Sequence, residues 1–171
     1  MRFFKFFLAS VLAFSLAAGV VLAQSQEFTK EGIEYALELP SSQWKATSRP
    51  DNAHQHMEFV YGDRLDGYLR IRKEVVDADT TPTNLADRDQ DVKLRFASGF
   101  VEGKQERFAG RLSGVTASYE FTSAGKPMAG RIYYLQVDNR TIYTLHFTGQ
   151  RDKLQRIRNQ TDAIARSFHL K

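Results

Sequence analysis

The period of the apolar residues changes along this chain, and this change is the strongest constraint on its fold. Apolar and polar residues alternate in some runs, and other short runs are apolar on both faces; both patterns predict β-strands. The predicted strands are residues 33–39, 44–47, 57–61, 68–76, 105–109, 115–122, 132–137 and 142–147. A spacing of three to four residues replaces the alternation at 85–98 and 151–168, which predicts a helix in each segment.

Together these elements predict an α+β fold. Turn signals such as Asp66-Gly67 join successive strands into hairpins, so we expect an antiparallel sheet of about six to eight strands. The strands at 132–137 and 142–147 are apolar on both faces, and therefore both faces need a cover. We expect one helix packed on each face, an α/β/α sandwich, with Asn84 as the N-cap of the first helix.

A shared hydrophobic core is expected to join these layers. Its predicted members are aromatic and aliphatic residues at inward positions: Trp44, Tyr119, Phe121, Tyr134, Leu145, Phe147, Ile157, Ile164 and Phe168. The chain contains no cysteine, so packing must stabilise the fold without disulfides, and thiol chemistry is excluded.

The first 23 residues have the pattern of a signal peptide. Arg2 and Lys5 give a positive start, residues 6–22 carry no charge, and the small residue Ala23 follows. We expect cleavage near Ala23, and the alternative is an uncleaved N-terminal anchor. The mature protein would then act outside the cytoplasm, in the periplasm or secreted. The predicted organisation is a signal peptide at 1–23, a flexible lead-in at 24–32 and a single domain at 33–171.

Charge and hydropathy restrict the partners. The whole chain has a formal net charge of +4, and loss of Arg2 and Lys5 with the leader lowers it to +2. This charge is too small to indicate a polyanionic partner, and export argues against nucleic acid. No second long apolar run is present, so the mature chain is expected to have no transmembrane segment. We expect a monomer that binds an envelope protein or a small ligand.

Several short phrases resemble those of PsbP-like domains. They are residues 35–40 (YALELP) before Trp44-Lys45, residues 108–110 (FAG) before 114–121 (GVTASYEF), and the ending 164–168 (IARSF). The resemblance covers 33–169 and is to the PsbP-like or DcrB-like superfamily. It implies an α/β/α sandwich that acts by binding and docking rather than by catalysis, and it assigns no binding residue. The Sec-type leader differs from a plastid transit peptide, which argues against a photosynthetic role.

His54, His56 and Glu58 form a candidate metal site. On one continuous strand these alternate positions share a face, so two imidazoles and a carboxylate could converge on Zn²⁺ or another transition metal. His146 and His169 are the candidates for a further ligand. The alternative is a polar, solvent-facing stretch without metal.

The sequence does not match the residue spacing of other known catalytic or cofactor-binding motifs. Asp87, Asp89 and Asp91 imitate the start of a calcium loop, but Val92 and Ser98 stand where that loop needs Gly and Glu. The sequence has no Gly-x-Ser-x-Gly nucleophile turn and no phosphate-binding glycine loop. We therefore predict no catalytic residue and no cofactor.

One strand face is the predicted partner-binding surface. Tyr68, Arg70 and Arg72 alternate with apolar residues, and Arg64 lies just before them. Tyrosine and arginine often anchor protein interfaces. The alternative is the solvated face of an edge strand, where charge discourages aggregation.

Two functional hypotheses follow from these patterns. The preferred one is a non-enzymatic exported domain of the cell envelope, which binds through a sheet edge or a groove beside a helix. The alternative is a small metal-dependent enzyme or metal-binding protein that uses His54, His56 and Glu58.

Overall fold

Residues 25–171 are described by a computed structural model of the chain. The strands are β1 (Gln26–Phe28), β2 (Tyr35–Leu39), β3 (Trp44–Ala46), β4 (Met57–Tyr61), β5 (Gly67–Val75), β6 (Val101–Ala109), β7 (Ser113–Ser123), β8 (Lys126–Asp138), β9 (Thr141–Gln150) and β10 (His169–Leu170). The helices are α1 (Pro82–Val92), α2 (Arg151–Arg156) and α3 (Arg158–Ser167), with a 3₁₀ turn at Leu94–Phe96. None of these helices combines the length and apolar character needed to cross a bilayer. The predicted leader and its cleavage site lie outside the described residues.

The main sheet has seven strands in the order β3-β4-β5-β9-β8-β7-β6, and all neighbours in it are antiparallel. Hairpins join β6 to β7, β7 to β8 and β8 to β9 along the chain. The pairing of β5 with β9 is different, because α1 and three strands intervene in the sequence. The predicted α+β class is confirmed, and the seven strands of this main sheet fall within the predicted range of six to eight.

A second sheet of three strands, in the order β1-β2-β10, was not predicted. Its central strand β2 pairs with β1, where Phe28 opposes Leu37, and with β10, where His169 opposes Ala36. The predicted strand at 33–39 therefore lies outside the main sheet. The segment expected to be a flexible lead-in contains a strand, because β1 finds hydrogen-bonding partners on the edge of β2.

The first helix begins earlier than predicted. Thr81 is the N-cap: its Oγ1 accepts a hydrogen bond from the Asn84 backbone N–H at 3.2 Å, and Asn84 Oδ1 accepts one from the Thr81 N–H at 3.2 Å. The prediction of Asn84 as the cap is wrong, since Asn84 is the third residue of this capping box. The helix also ends at Val92, short of residue 98, and Val92 and Phe96, which were expected on its apolar face, are largely exposed.

The predicted helix at 151–168 is divided at Ile157. This residue has φ −97° and ψ 12° and separates α2 from α3. Its side chain is buried, and a Cβ added at Gly67 would lie only 2.7 Å from Ile157 Cδ1. The absence of a side chain at Gly67 therefore lets β5 and the helix break pack closely.

The buried apolar residues form two clusters rather than the single predicted core, because alternate side chains of β7, β8 and β9 point to opposite faces. The first cluster contains Tyr133 and Leu135 of β8 with residues of β2, α2 and α3. The second cluster consists of Val76, Leu85, Ala86, Val115, Tyr119, Ile132, Tyr134 and Ile142. All predicted core residues are buried except Phe121, which is partly buried. Phe121 packs against the second cluster, to which Tyr119 and Tyr134 belong.

Candidate functional site

Three of the four predicted partner-binding residues lie on β5, an interior strand of the main sheet. In β5 the side chains of Leu69 and Ile71 are fully buried in the first cluster. Tyr68, Arg70 and Arg72 alternate with them and point to the opposite face; Tyr68 and Arg70 are half-buried and Arg72 is exposed. Because β5 is paired with both β4 and β9, the interpretation of these charges as protection of an edge strand is wrong.

Arg64 joins this face from the loop between β4 and β5. Its guanidinium carbon lies 4.7 Å from the centre of the Tyr68 ring, a cation–π contact. Its Nη2 also donates to Glu58 Oε2 at 3.2 Å. We use the name arginine surface for Arg64, Tyr68, Arg70 and Arg72 together.

Glu58 is the acidic neighbour of the arginine surface. It lies on β4 directly opposite Arg70 of β5. The Tyr68 hydroxyl, His56 and Arg64 hold the pKa of Glu58 below its usual range. Burial and the nearby carboxylate together raise the pKa of Tyr68 to about 12. At neutral pH the carboxylate is therefore charged and Tyr68 is a neutral phenol.

Arg70 is held from its other side by a histidine. His146 of β9 is its direct cross-strand partner, and Arg70 Nη2 donates to His146 Nδ1 at 3.3 Å. A guanidinium can only donate, so Nδ1 must accept and the proton resides on Nε2. Nε2 then donates to the Tyr119 hydroxyl oxygen at 2.7 Å. Burial, Arg70 and Lys93 lower the pKa of His146 to about 3, so the imidazole is neutral at physiological pH.

Tyr119 reaches His146 because Gly130 has no side chain. Gly130 of β8 pairs with Tyr119 of β7, and a Cβ at this position would overlap the tyrosine ring. The ring therefore lies over β8 and brings its hydroxyl toward β9. Phe121 stacks on the ring at 5.6 Å between centroids and fixes it further.

The arginine surface has an excess of positive charge. Arg64 is paired with Glu58, but no carboxylate of residues 25–171 lies within 4.0 Å of the Arg70 or Arg72 side-chain nitrogens. Among residues 25–171 the only side chain that forms a hydrogen bond with the Arg70 guanidinium is the neutral His146. Its charge is therefore held in position without a direct carboxylate partner.

The candidate metal site, which belongs to the alternative hypothesis, is not assembled among residues 25–171. His54 lies in a turn before β4, and its Nδ1 is 2.8 Å from Asp51 Oδ2. Gln55 has a φ of 53°, so the premise of one continuous strand through His54, His56 and Glu58 is wrong. His56 Nε2 lies 3.3 Å from Glu58 Oε1. Among residues 25–171 no group of three His, Cys, Asp or Glu side chains is placed to hold a metal ion.

The two further candidate ligands are engaged elsewhere. His146 contacts Arg70 and Tyr119, and Arg111 Nη1 lies 3.1 Å from His169 Nδ1. Sequence reasoning considered His146 only as a metal ligand and Tyr119 only as a core residue. Their place beside the arginine surface follows from the β5–β9 pairing, which no local pattern indicates.

A groove beside a helix is also present. It has a volume of about 410 Å³ and lies between the α2–α3 segment and strands β6–β8, on the face opposite the arginine surface. Its walls carry both Lys104 and Arg158 and both Glu102 and Glu106. Because opposite charges are interspersed, the groove favours neither anions nor cations.

Comparison with known proteins finds likeness at the level of structure. No protein-family model matches the sequence, and no curated protein matches it. Cyanobacterial PsbP (CyanoP) from Synechocystis sp. PCC 6803 superposes with a TM-score of 0.58 at 15% identity, over 90% of this chain and 96% of that chain. LpqN of Mycobacterium tuberculosis, described as involved in cell envelope biogenesis, gives 0.57 at 13% identity, over 86% of this chain and 91% of that one.

A protein from Bacteroides thetaiotaomicron VPI-5482 is also similar, with a TM-score of 0.58 and 11% identity over 86% of this chain. The present chain spans only 49% of that longer protein. These identities support a conclusion about fold alone. The resemblance seen in the short sequence phrases is confirmed at that level: the chain has a PsbP-like fold.

Proposed function

We propose that this chain is a non-enzymatic binding domain of the cell envelope, which docks a partner through the arginine surface. The similarity of fold to LpqN, a protein described as involved in cell envelope biogenesis, supports an envelope-associated role, and the leader pattern at 1–23 supports a place outside the cytoplasm. The observation that carries the proposal is the half-buried Arg70, whose charge has no carboxylate partner in residues 25–171.

The layer arrangement supports the same assignment. We infer an α/β/α sandwich, because Leu85 and Ala86 of α1 belong to the second cluster whereas Leu154 of α2 and Ile164 of α3 belong to the first. α1 packs on β7 and β8, and Arg72 on β5 remains exposed. The arginine surface is therefore available beside α1 for a partner.

Capture from envelope extracts tests the proposal. The purified protein, immobilised or crosslinked in the extract, should retain a specific partner, and Arg70→Ser with Arg72→Ser should reduce its recovery. The control is Arg107→Ser with Arg140→Ser, which removes the same charge from two exposed arginines on other parts of the fold. Equal recovery by the wild type and the Arg70/Arg72 variant would contradict docking at the arginine surface.

The stability of the variants must be measured in parallel. Arg72→Ser should leave the unfolding temperature nearly unchanged, because exposed charges contribute little. Arg70→Ser removes the hydrogen bond to His146, so its expected cost is about 1 kcal/mol. A much larger loss would show that Arg70 mainly serves the fold.

A further inference from the structure

We propose that Arg70 and Arg72 recognise carboxylates at alternate positions of an extended acidic segment in the partner protein. This inference rests on the proposed function, since it names the chemical groups by which the partner would be recognised at the arginine surface.

The first step of the argument concerns how Arg70 is held. A half-buried arginine is usually paired with a carboxylate. The carboxylate both fixes the position of the guanidinium and cancels the charge of the guanidinium. Here the residue that fixes it is His146, a neutral acceptor locked in one tautomer by Arg70 and Tyr119. The guanidinium is thus oriented in advance, and its remaining N–H donors are left without a carboxylate partner and can bind an external anion.

The second step concerns spacing. Arg70 and Arg72 are alternate residues on one face of β5, so their side chains leave the strand roughly 6–7 Å apart. Carboxylates at alternate positions of another extended chain have the same spacing. A segment of this kind could therefore give each guanidinium one carboxylate, with two parallel hydrogen bonds in each pair.

The third step favours carboxylates over phosphates. The arginine surface already contains an arginine–carboxylate pair, because Arg64 Nη2 donates to Glu58 Oε2 at 3.2 Å. Glu58 stands opposite Arg70, and its charge repels a phosphate, with up to two negative charges, more than a carboxylate with one. Beside Arg70 and Arg72, the Arg64 guanidinium stacked over the Tyr68 ring offers a flat contact surface. Arginine and tyrosine side chains of this kind often anchor protein interfaces, which favours a polypeptide as the partner.

The experiment uses the purified protein and synthetic peptides of about seven residues. One peptide alternates Glu with Thr, and its matched control alternates Gln with Thr. Inorganic phosphate and vesicles containing an anionic phospholipid are tested in parallel. Binding is followed by calorimetry and by NMR signals of the arginine side chains and the His146 imidazole.

We expect the Glu peptide to bind, the Gln peptide not to bind, and added salt to weaken the complex. Arg72→Gln should weaken binding by about tenfold, the usual effect of losing a charged hydrogen-bonded pair, with no effect on folding. Arg72→Lys should recover only part of this loss, since lysine keeps the charge but not the two parallel donors. Arg107→Gln is the control and should bind as the wild type does.

Several results would overturn the inference. They are equal binding of the Glu and Gln peptides, an equal loss in Arg107→Gln, or preference for phosphate or anionic vesicles over the Glu peptide. Capture of a partner that depends on Arg70 and Arg72, without any binding of the Glu peptide, would refute this inference but leave the proposed function intact. Binding of the Glu peptide without any such capture would refute the proposed function instead.

Discussion

The Tyr119 hydroxyl and His146 Nε2 lie 2.7 Å apart, although their strands β7 and β9 are not neighbours in the sheet. β8 runs between them, and Gly130 provides the space over which the tyrosine ring passes. This hydrogen bond therefore connects the second hydrophobic cluster to Arg70 through one imidazole.

Substitution of Gly130 should disturb this connection. In Gly130→Ala the new methyl group overlaps the Tyr119 ring, so we expect a loss of about 1–3 kcal/mol in the free energy of unfolding. Chemical denaturation measures this loss. In a Tyr119→Ala background the same change should cost far less, because no ring then occupies the space. Equal costs in the two backgrounds would show that the ring is not the obstacle.

Replacement of His146 should change how stability depends on pH. Its pKa is lowered to about 3 in the folded protein by burial, Arg70 and Lys93, and in the unfolded chain it is about 6.5. Between these values the unfolded state binds more protons, so stability rises with pH across this window and falls as acid is added. The slope contributed by this residue is at most about 1.4 kcal/mol per pH unit.

Urea unfolding between about pH 5 and pH 7 measures that slope above the range where most carboxylates titrate. His146→Gln should flatten the dependence relative to the wild type. His54→Gln is the control, because the His54 side chain is 61% exposed. If His146→Gln and the wild type lose stability in parallel as the pH falls, His146 is not the source of the dependence.

Truncation of Phe168 should be among the costly changes. The ring is fully buried, with its centroid 4.9 Å from that of Tyr35 and 5.1 Å from that of Tyr143. Phe168→Ala should lower the free energy of unfolding by about 3 kcal/mol or more, the usual cost of emptying an aromatic core site. Phe96→Ala is the matched control, since Phe96 is 77% exposed and should change stability by less than about 0.5 kcal/mol. A loss below about 1 kcal/mol for Phe168→Ala would contradict this packing.

Loss of the capping box should weaken the start of α1. Thr81→Ala removes the side-chain acceptor for the Asn84 N–H, and we expect a cost of about 1 kcal/mol. Thr83→Ala, at the second residue of the helix, is the comparison, because Thr83 is not the N-cap. In thermal unfolding, Thr81→Ala should have a lower unfolding temperature than Thr83→Ala. Identical stabilities of the two variants would show that the cap contributes nothing measurable.

The sequence-based predictions succeeded where the decisive interactions are local. The alternation at 57–61 and the Asp66-Gly67 turn were enough for the β4–β5 hairpin, and the face of Tyr68, Arg70 and Arg72 followed from the same period. The N-cap was predicted three residues too late, because Thr81 and Asn84 are both good capping residues. Only Pro82, at the first helical position, distinguishes them.

The rest depended on contacts between distant parts of the chain. β1 and β10 have three and two residues, too few for a periodic signal, and exist because β2 offers both edges. The neighbours of Arg70 were missed for a similar reason. His146 becomes the partner of Arg70 only when β9 pairs with β5. The presence of Gly130 in the sequence does not reveal that the Tyr119 ring will lie over that residue.

The same β5–β9 pairing has a consequence for the order of folding. β6 to β9 can form by successive hairpins, but residues 68–75 must wait for residues 141–148 before the sheet can close across them. Closing so long a loop costs entropy before its contacts form, and topologies of this kind fold slowly. We expect pulse-labelled hydrogen exchange to protect the amides of β7 and β8 before those of β5. During that interval the edge of β5 that later pairs with β9 would expose unpaired backbone, which chaperones or proteases could bind.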